Sequence, residues 1–213
     1  MDRRSVLCWM ALFLVGLPAA AQVPKRDIDY RMIPQQPVET GGRVEVIDFF
    51  FYACPYCNEL APLLEAWLRS KPPDVVFRRV PVVRHDSWIP LAQVYYTLEA
   101  MGEAGRLHAE VFRSYHSGSR SLGREDVIAE WAQKHGVDRE RFVAIYRSDE
   151  TRKKIERARK MTMDYDIRSI PSIVVDGRYL TSSDMTPRMQ EVITVLDGLI
   201  RLARERRRQG NDG

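Results

Sequence analysis

The sequence predicts an α/β protein with a central mixed sheet flanked by helices, in which a helical segment is inserted between a βαβ unit and a C-terminal β-hairpin. Two runs rich in β-branched and aromatic residues, at 44–52 and 75–82, flank a helical pattern at 58–70. Two short apolar runs near the C terminus are joined by Asp176-Gly177. Strand, helix and strand in this order indicate a parallel pair, whereas Asp-Gly between apolar runs is typical of an antiparallel hairpin.

The first strand is predicted at 44–52, because β-branched and aromatic residues fill most of its positions, as in strands buried on both faces. The sequence Cys-Pro-Tyr-Cys follows at 54–57, and leucines and a tryptophan then recur at helical spacing. Pro62 within this pattern predicts a bend in the helix. Residues 23–42, rich in proline, glycine and charge, are interpreted as an extended lead-in.

Helical patterns fill most of residues 87–160, and glycines at 102, 118 and 136 are expected to end helices there. Asp138 has the position of an N-cap residue. No Gly/Pro/Ser-rich linker separates this block, so we interpret it as an inserted helical domain packed on the α/β unit. Its predicted helical segments are about 90–101, 104–117, 124–135 and 139–163.

The strand pattern returns at 170–175 and 178–181, and a final helix follows. Thr186 is expected to be the N-cap of this helix and Pro187 its first residue. The basic run at 204–208 is interpreted as a frayed, solvated helix end, with contact to anionic lipid headgroups as the alternative.

The N-terminal residues have the layout of a secretory signal peptide. Arg3 and Arg4 precede a short apolar stretch at 6–17, and three alanines at 19–21 offer a cleavage site. The stretch is shorter than the about 20 apolar residues that a membrane span requires. We therefore expect residues 1–21 to be removed on export, with an uncleaved anchor as the alternative.

Charge and cysteine content exclude several classes of protein. The formal charge of the 213-residue chain is +4, with acidic residues interleaved among basic ones, which does not indicate a nucleic-acid partner. Of three cysteines, Cys8 lies in the predicted signal peptide, so the exported chain keeps Cys54 and Cys57. A single pair this close removes little chain entropy and is not a disulfide scaffold, so we expect it to serve chemistry.

A Cys-x-x-Cys pair has two common uses, metal binding and redox cycling. A structural zinc site needs four ligands, but the sequence has no second cysteine pair and no two histidines at the usual close spacing. Redox cycling fits, because Cys54 falls at a strand-to-helix junction with Pro55 at the first helical position. Unpaired backbone N–H groups and the helix dipole stabilise a thiolate there. We therefore expect no metal, Cys54 as the nucleophile and Cys57 as the resolving cysteine.

These features carry a resemblance to a known family. The run at 46–57, with Pro62 five residues further on and Ile170-Pro171 before the hairpin, resembles the thioredoxin fold. The helical block between the second strand and Ile170-Pro171 narrows the resemblance to the DsbA family of periplasmic disulfide oxidases, over roughly residues 38–204. It implies a thioredoxin-like domain at 22–86 and 161–208, an inserted helical domain at 87–160 and a tail at 209–213.

The resemblance also assigns roles to individual residues. Pro171 matches the family's cis-proline, which lies against the cysteine pair, and the backbone of Ile170 would pair with an extended substrate segment. Asp48 matches the buried acid of thioredoxin-like proteins and could carry protons to and from Cys57, with Arg79 as its cationic partner. The alternatives are an edge-strand proline of no special role, and an Asp48 at the rim of the sheet with Arg79 in water.

The function that the resemblance implies is oxidation of unfolded or folding secreted proteins that carry free cysteines. The Cys54–Cys57 disulfide would be donated through a mixed disulfide at Cys54, and a membrane quinone-linked partner of the DsbB type would restore it. No further cofactor and no nucleic acid would take part. The resemblance also implies a monomer in the periplasm.

The sequence departs from the family at Tyr56, since most members have Cys-Pro-His-Cys. Tyrosine cannot carry the positive charge with which histidine stabilises the thiolate, and Cys-Pro-Tyr-Cys is also the glutaredoxin sequence. Glutaredoxin potentials are about −200 to −230 mV, against about −120 mV for DsbA itself. A periplasmic reductase or glutathione-linked oxidoreductase is therefore the alternative function, and a chaperone or binding module that keeps the fold is a third.

Overall fold

The computed structural model describes residues 23–118 and 120–211, so the predicted signal peptide lies outside it. Within this part of the chain, a five-stranded sheet has the strand order β1-β5-β4-β2-β3. Its strands are Arg31–Met32 (β1), Val44–Phe50 (β2), Val75–Pro81 (β3), Ser172–Val175 (β4) and Tyr179–Ser182 (β5). The flanking helices are Pro55–Leu68 (α1), Ile89–Ala100 (α2), Ala104–His116 (α3), Glu125–Lys134 (α4), Arg139–Tyr146 (α5), Asp149–Asp164 (α6) and Met189–Asn211 (α7). Two short 3₁₀ helices lie at Asp86–Trp88 and Arg120–Gly123.

The α/β prediction is confirmed, and β2 lies inside a mixed sheet. It pairs in parallel with β3, as expected for a βαβ unit, and antiparallel with β4. β4 and β5 form the predicted hairpin, whose turn residues Asp176 and Gly177 have φ values of 55° and 62°. Two consecutive left-handed residues suit the twist of the flanking strands, which is why Asp-Gly is favoured at such turns.

β1 lies in the segment that we interpreted from sequence as an extended lead-in. Its two residues pair antiparallel with β5, so the lead-in covers an edge that the hairpin would otherwise expose. A strand of two residues is too short to show an alternation of apolar and polar residues in the sequence. It forms because it pairs with β5, which lies near the other end of the chain.

Helices α2 to α6 lie between β3 and β4, as predicted, but one expected segment is wrong. The single helix predicted at 139–163 is two helices, and the chain breaks at Ser148. The Ser148 hydroxyl accepts a hydrogen bond from the Thr151 N–H at 3.1 Å and so caps a new helix, α6. Asp138 caps α5 as predicted, accepting from the Arg141 N–H at 2.8 Å.

The predicted glycine stops are confirmed. Each of α2, α3 and α4 ends two residues before a glycine with positive φ. The left-handed conformation, open to glycine without steric strain, turns the chain out of the helix. These glycines are Gly102, Gly118 and Gly136.

The start of the C-terminal helix differs from the prediction. α7 begins at Met189, two residues after the expected Pro187. The Thr186 hydroxyl oxygen is buried and has no hydrogen-bond partner among the residues that the structure describes. Thr186 therefore does not cap α7, although its hydroxyl lies buried just before the helix.

The basic run at 204–208 is helical and anchored, so its interpretation as a frayed end is wrong. The Arg204 guanidinium binds both carboxylate oxygens of Asp74, at 2.7 and 2.8 Å. Arg207 binds the carboxylate of Asp176 in the hairpin turn. These pairs hold the last turns of α7 against the start of β2, since Asp74 also accepts the backbone N–H of Val44 at 3.0 Å through its carbonyl.

Two clusters of buried apolar side chains cover the two faces of the sheet. Val46 packs with α1 and α7, whereas its neighbour Ile47 packs with the helices α2 to α6. Val44 and Val46 thus belong to one core and Ile47 to the other, as the two-residue period of a strand predicts. Phe50, at the end of the strand, departs from this alternation and joins the core of Ile47. None of the helices in the described part of the chain has an apolar stretch long enough to cross a bilayer.

Candidate active site

Cys54 lies at the start of α1, where the sequence analysis expected it. β2 ends at Phe50, and a turn closed by the Cys54 N–H donating to the Phe51 carbonyl (3.0 Å) leads into the helix. Cys54 is the N-cap residue, with φ −83° and ψ 120°, and Pro55 follows it in the first turn. Proline is favourable there, because the N–H that it lacks would have no partner within the helix.

The two thiols are tuned in opposite directions. Cys54 is half-buried and Cys57 is 2% exposed, both as free thiols. A hydrogen bond from the Cys57 thiol, with the backbone N–H groups of Cys57 and Tyr56, outweighs partial burial and lowers the pKa of Cys54 to about 6. Burial, followed by the hydrogen bond to Cys54, raises the pKa of Cys57 well above its ordinary value. At neutral pH the pair is a Cys54 thiolate beside a Cys57 thiol.

The loop before β4 brings Ile170 and Pro171 to the cysteines. The peptide bond between them is cis, as the resemblance implied. The Ile170 carbonyl oxygen lies 3.6 Å from the Cys54 sulfur. Pro171, Cys57 and Asp48 line one small interior space. The structure therefore places the proline beside the reacting sulfurs and leaves the Ile170 backbone next to Cys54.

A buried group of charges lies behind Cys57. Asp48 is 3% exposed and faces Arg79 across the β2–β3 pair, with 3.9 Å between the Asp48 Oδ2 and Arg79 Nε atoms. Burial raises the pKa of Asp48 to about 7, although Arg79 opposes the rise and Glu65 adds to it. The alternative in which Asp48 lies at the rim of the sheet and Arg79 in water is wrong.

Glu65 completes this group and was not identified from sequence. Its Oε1 atom accepts a hydrogen bond from the Arg79 Nη2 atom at 2.6 Å. Its position in the sequence indicated only one thing. Glu65 lies four residues after Ala61 and therefore on the same side of α1, and Ala61 is buried. That signal shows which face Glu65 occupies but not which cation it meets.

Two histidines of α3 form hydrogen bonds with Tyr52, which lies two residues before Cys54. The Tyr52 hydroxyl lies 3.0 Å from the His108 Nδ1 atom, and the Tyr52 carbonyl lies 2.9 Å from the His116 Nε2 atom. Burial, with a smaller contribution from Arg79, lowers the pKa of His108 well below its ordinary value, so this imidazole stays neutral. From sequence, His108 and His116 were weighed only as metal ligands, although a spacing of eight residues places them on about the same side of a helix.

Aromatic residues that are partly exposed flank Cys54 in the chain. Tyr56, two residues after it, is 59% exposed. The half-buried Phe51, three residues before it, stacks in parallel on Trp88, with ring centroids 3.9 Å apart. Exposed rings on the segment that carries a reactive sulfur offer apolar contact area to a polypeptide.

No set of three His, Cys, Asp or Glu side chains within residues 23–118 and 120–211 is arranged to hold a metal ion. The chemistry that this arrangement can perform is thiol–disulfide exchange, because an accessible thiolate and a resolving thiol meet at one helix terminus.

A family model and the related proteins point to the same family. A family model described as a DSBA-like thioredoxin domain matches residues 79–194, more than half of the chain. The thiol:disulfide interchange protein DsbA of Azotobacter vinelandii is 32% identical over 200 residues, covering 92% of this chain and 94% of that protein. The protein of the same name from Bordetella parapertussis is 37% identical over 149 residues, covering 70% and 71%.

Solved structures agree with these relatives. The crystal structure of Pseudomonas aeruginosa DsbA superimposes with a TM-score of 0.81 at 30% identity, covering 85% of this chain and 95% of that one. The oxidoreductase DsbA from Xylella fastidiosa gives a TM-score of 0.78 at 30% identity, covering 87% and 99%.

Proposed function

The chain belongs to the family of DSBA-like thioredoxin domains, and on this premise we propose how its cysteine pair works. It is a thiol:disulfide oxidoreductase that donates a disulfide to the cysteines of substrate proteins. The observation that supports our residue assignment best is the opposite tuning of the two thiols, with a stabilised thiolate only at Cys54. The relatives do not favour the reductase alternative.

The reaction begins with the Cys54–Cys57 disulfide. A substrate thiolate attacks the Cys54 sulfur, the disulfide breaks, and the Cys57 sulfur leaves and takes up a proton. A second substrate thiolate then attacks the substrate sulfur of the mixed disulfide, and Cys54 leaves as a thiolate. The substrate is oxidised and the cysteine pair is reduced. Because Cys54 is stabilised as a thiolate, it is a good leaving group in the second step.

Asp48 is proposed to exchange the proton that Cys57 needs. Its pKa of about 7 allows both protonation states near neutral pH, and it shares an interior space with Cys57. Arg79 and Glu65 would hold this carboxyl in place and balance its charge, as their contacts with one another and with Asp48 support.

The partners and location are part of the same proposal. Substrates are unfolded or folding secreted proteins with free cysteines, which pair as an extended segment with the backbone of Ile170. A membrane quinone-linked protein of the DsbB type restores the disulfide, and the protein works as a monomer in the periplasm. The family membership supports each of these assignments.

The redox potential tests the proposed direction of the reaction. The purified protein is equilibrated in glutathione buffers of known ratio, and the oxidised fraction of the cysteine pair is measured. We expect a midpoint above about −150 mV, because the helix terminus and backbone donors stabilise the Cys54 thiolate without a histidine at position 56. A midpoint at or below about −200 mV contradicts a strong oxidase and supports the reductase alternative.

A further inference from the structure

A carboxylate connects the end of the hairpin to the loop that faces Cys54. The Asp184 Oδ1 atom accepts hydrogen bonds from the Ser169 hydroxyl, at 2.8 Å, and from the Ser182 hydroxyl. Ser169 directly precedes Ile170, whose carbonyl lies 3.6 Å from the Cys54 sulfur. Asp184 is thus linked to the backbone of Ile170, where a substrate segment would pair, through one hydrogen bond to Ser169 and the peptide bond that follows.

The hairpin is a rigid support for this contact. Ser182 is the last residue of β5 and lies opposite Ser172, the first residue of β4. The Ser172 hydroxyl donates to the Ser169 carbonyl at 2.7 Å, and the Ser183 N–H donates to the Pro171 carbonyl at 3.3 Å. The Ser172 hydroxyl therefore holds the backbone of Ser169, whereas Asp184 holds the Ser169 side chain.

Ionisation strengthens the contact. Partial burial opposes it, but the hydroxyl hydrogen bonds from Ser182 and Ser169 outweigh this and lower the pKa of Asp184 below its ordinary value. Hydrogen bonds to a charged acceptor are stronger than those between neutral groups. Near neutral pH Asp184 is therefore a carboxylate that accepts two charge-assisted bonds.

We propose that Asp184 is a positioning residue for polypeptide substrates, which holds Ser169 so that the Ile170 backbone can pair with an extended segment. This proposal rests on the proposed function, since it assumes oxidation of protein thiols at Cys54. A small dithiol reaches the Cys54 sulfur without strand pairing, whereas a polypeptide gains its binding energy from the backbone. Asp184 should therefore affect peptides and leave small thiols unaffected.

Peptide oxidation kinetics test the proposal. The oxidised protein is mixed with a fluorescent peptide that contains two reduced cysteines, and separately with dithiothreitol. We expect Asp184→Ala to raise KM for the peptide about threefold, because the lost hydrogen bond is exposed to water and acts through the backbone of Ile170. The kcat value, the rate with dithiothreitol and the glutathione midpoint should stay unchanged. Asp184→Asn keeps an oxygen acceptor for Ser169 and should restore most of the peptide KM.

A second variant and a control make the result specific. Ser169→Ala should reproduce the KM effect, and its combination with Asp184→Ala should add little, because both variants remove the hydrogen bond between Ser169 and Asp184. If Asp184→Ala does not fold, Ser169→Ala carries the test. Asp74→Ala, an exposed aspartate bound to Arg204 at the other end of the sheet, should leave the peptide KM unchanged.

Two outcomes overturn the proposal. One is an unchanged peptide KM in both Asp184→Ala and Ser169→Ala. The other is an equal loss of rate with the peptide and with dithiothreitol, which would show a general disturbance of Cys54. Failure of the proposed function looks different, because the unmodified protein itself would then fail to oxidise the peptide.

Discussion

The two ends of the parallel β2–β3 pair each have an aspartate that faces an arginine, but the two ion pairs behave in opposite ways. At the start of the two strands, the side chains of Arg204 and Asp74 are 29% and 49% exposed, and the pair lowers the pKa of Asp74. At the cysteine end, the side chains of Arg79 and Asp48 are 10% and 4% exposed, and the pKa of Asp48 rises to about 7. The larger of two opposing effects decides each pKa. At Asp74 it is the hydrogen bonding of Arg204, and at Asp48 it is the desolvation of the buried charge, which outweighs an arginine 3.9 Å away.

The largest effect is expected at the cysteine end, from Cys54→Ser. Peptide oxidation should fall below detection, because Cys57 without Cys54 cannot form the disulfide that is donated to the substrate. In the reduced parent protein, the alkylation rate of Cys54 by iodoacetamide should rise with pH, reach half of its plateau at about pH 6 and then level off. Retention of substrate protection and cellular function by Cys54→Ser would instead support the chaperone alternative.

The next largest effect is expected on stability, from Asp48→Asn. Folding raises the pKa of Asp48 from 3.8 to about 7, so between these values the folded state keeps a proton that the unfolded chain has released. The free energy of unfolding therefore falls as pH rises from about 4 to about 7, by roughly 2–4 kcal/mol. Asp48→Asn should remove this fall, which makes the variant more stable than the parent at pH 8 and similar at pH 4.

Urea unfolding at the two pH values measures this difference, and Asp74→Asn is the matched control. The pKa of Asp74 is lowered by folding, so its contribution has the opposite sign and is lost as pH falls through that pKa. The comparison between the two ends of β2 fails if both variants change stability in the same direction with pH.

A smaller effect is expected from Tyr56→His. A histidine beside Cys54 adds a positive or donating group, which stabilises the thiolate and hence the reduced form. We expect the glutathione midpoint to rise by about 30 mV, which corresponds to about 1.4 kcal/mol. Tyr56→Phe is the control, since it changes neither charge nor ring size; an equal shift in both variants would mean that packing, not charge, sets the potential.

The smallest effect is expected at the start of β2, from Arg204→Ala. The pair with Asp74 is exposed and screened by water, so its loss should reduce the free energy of unfolding by less than about 1 kcal/mol. The redox midpoint should not change. Thermal unfolding in low and high salt checks this, because salt should reduce the difference between variant and parent. A larger loss that persists in high salt would show that Arg204 contributes packing as well as charge.

Local patterns allowed much of the fold to be predicted. The βαβ unit and the Asp176-Gly177 hairpin depend on residues adjacent in the chain, and both are confirmed. The predictions were wrong where a single side chain made the difference, as at Ser148, which starts a new helix, and at Thr186, which does not cap one. Hydroxyl side chains serve as caps or pack elsewhere with similar ease, and only their surroundings decide between these outcomes.

The amino-acid sequence by itself determined the reacting pair and its place at a helix terminus. Both follow from four consecutive residues after a strand, and from backbone groups that every helix start has. The tertiary structure alone decided which groups surround that pair. Glu65 meets Arg79, and His108 meets Tyr52, across large separations in the chain. The pKa of a buried group depends on the water that such packing excludes, and no local pattern records it.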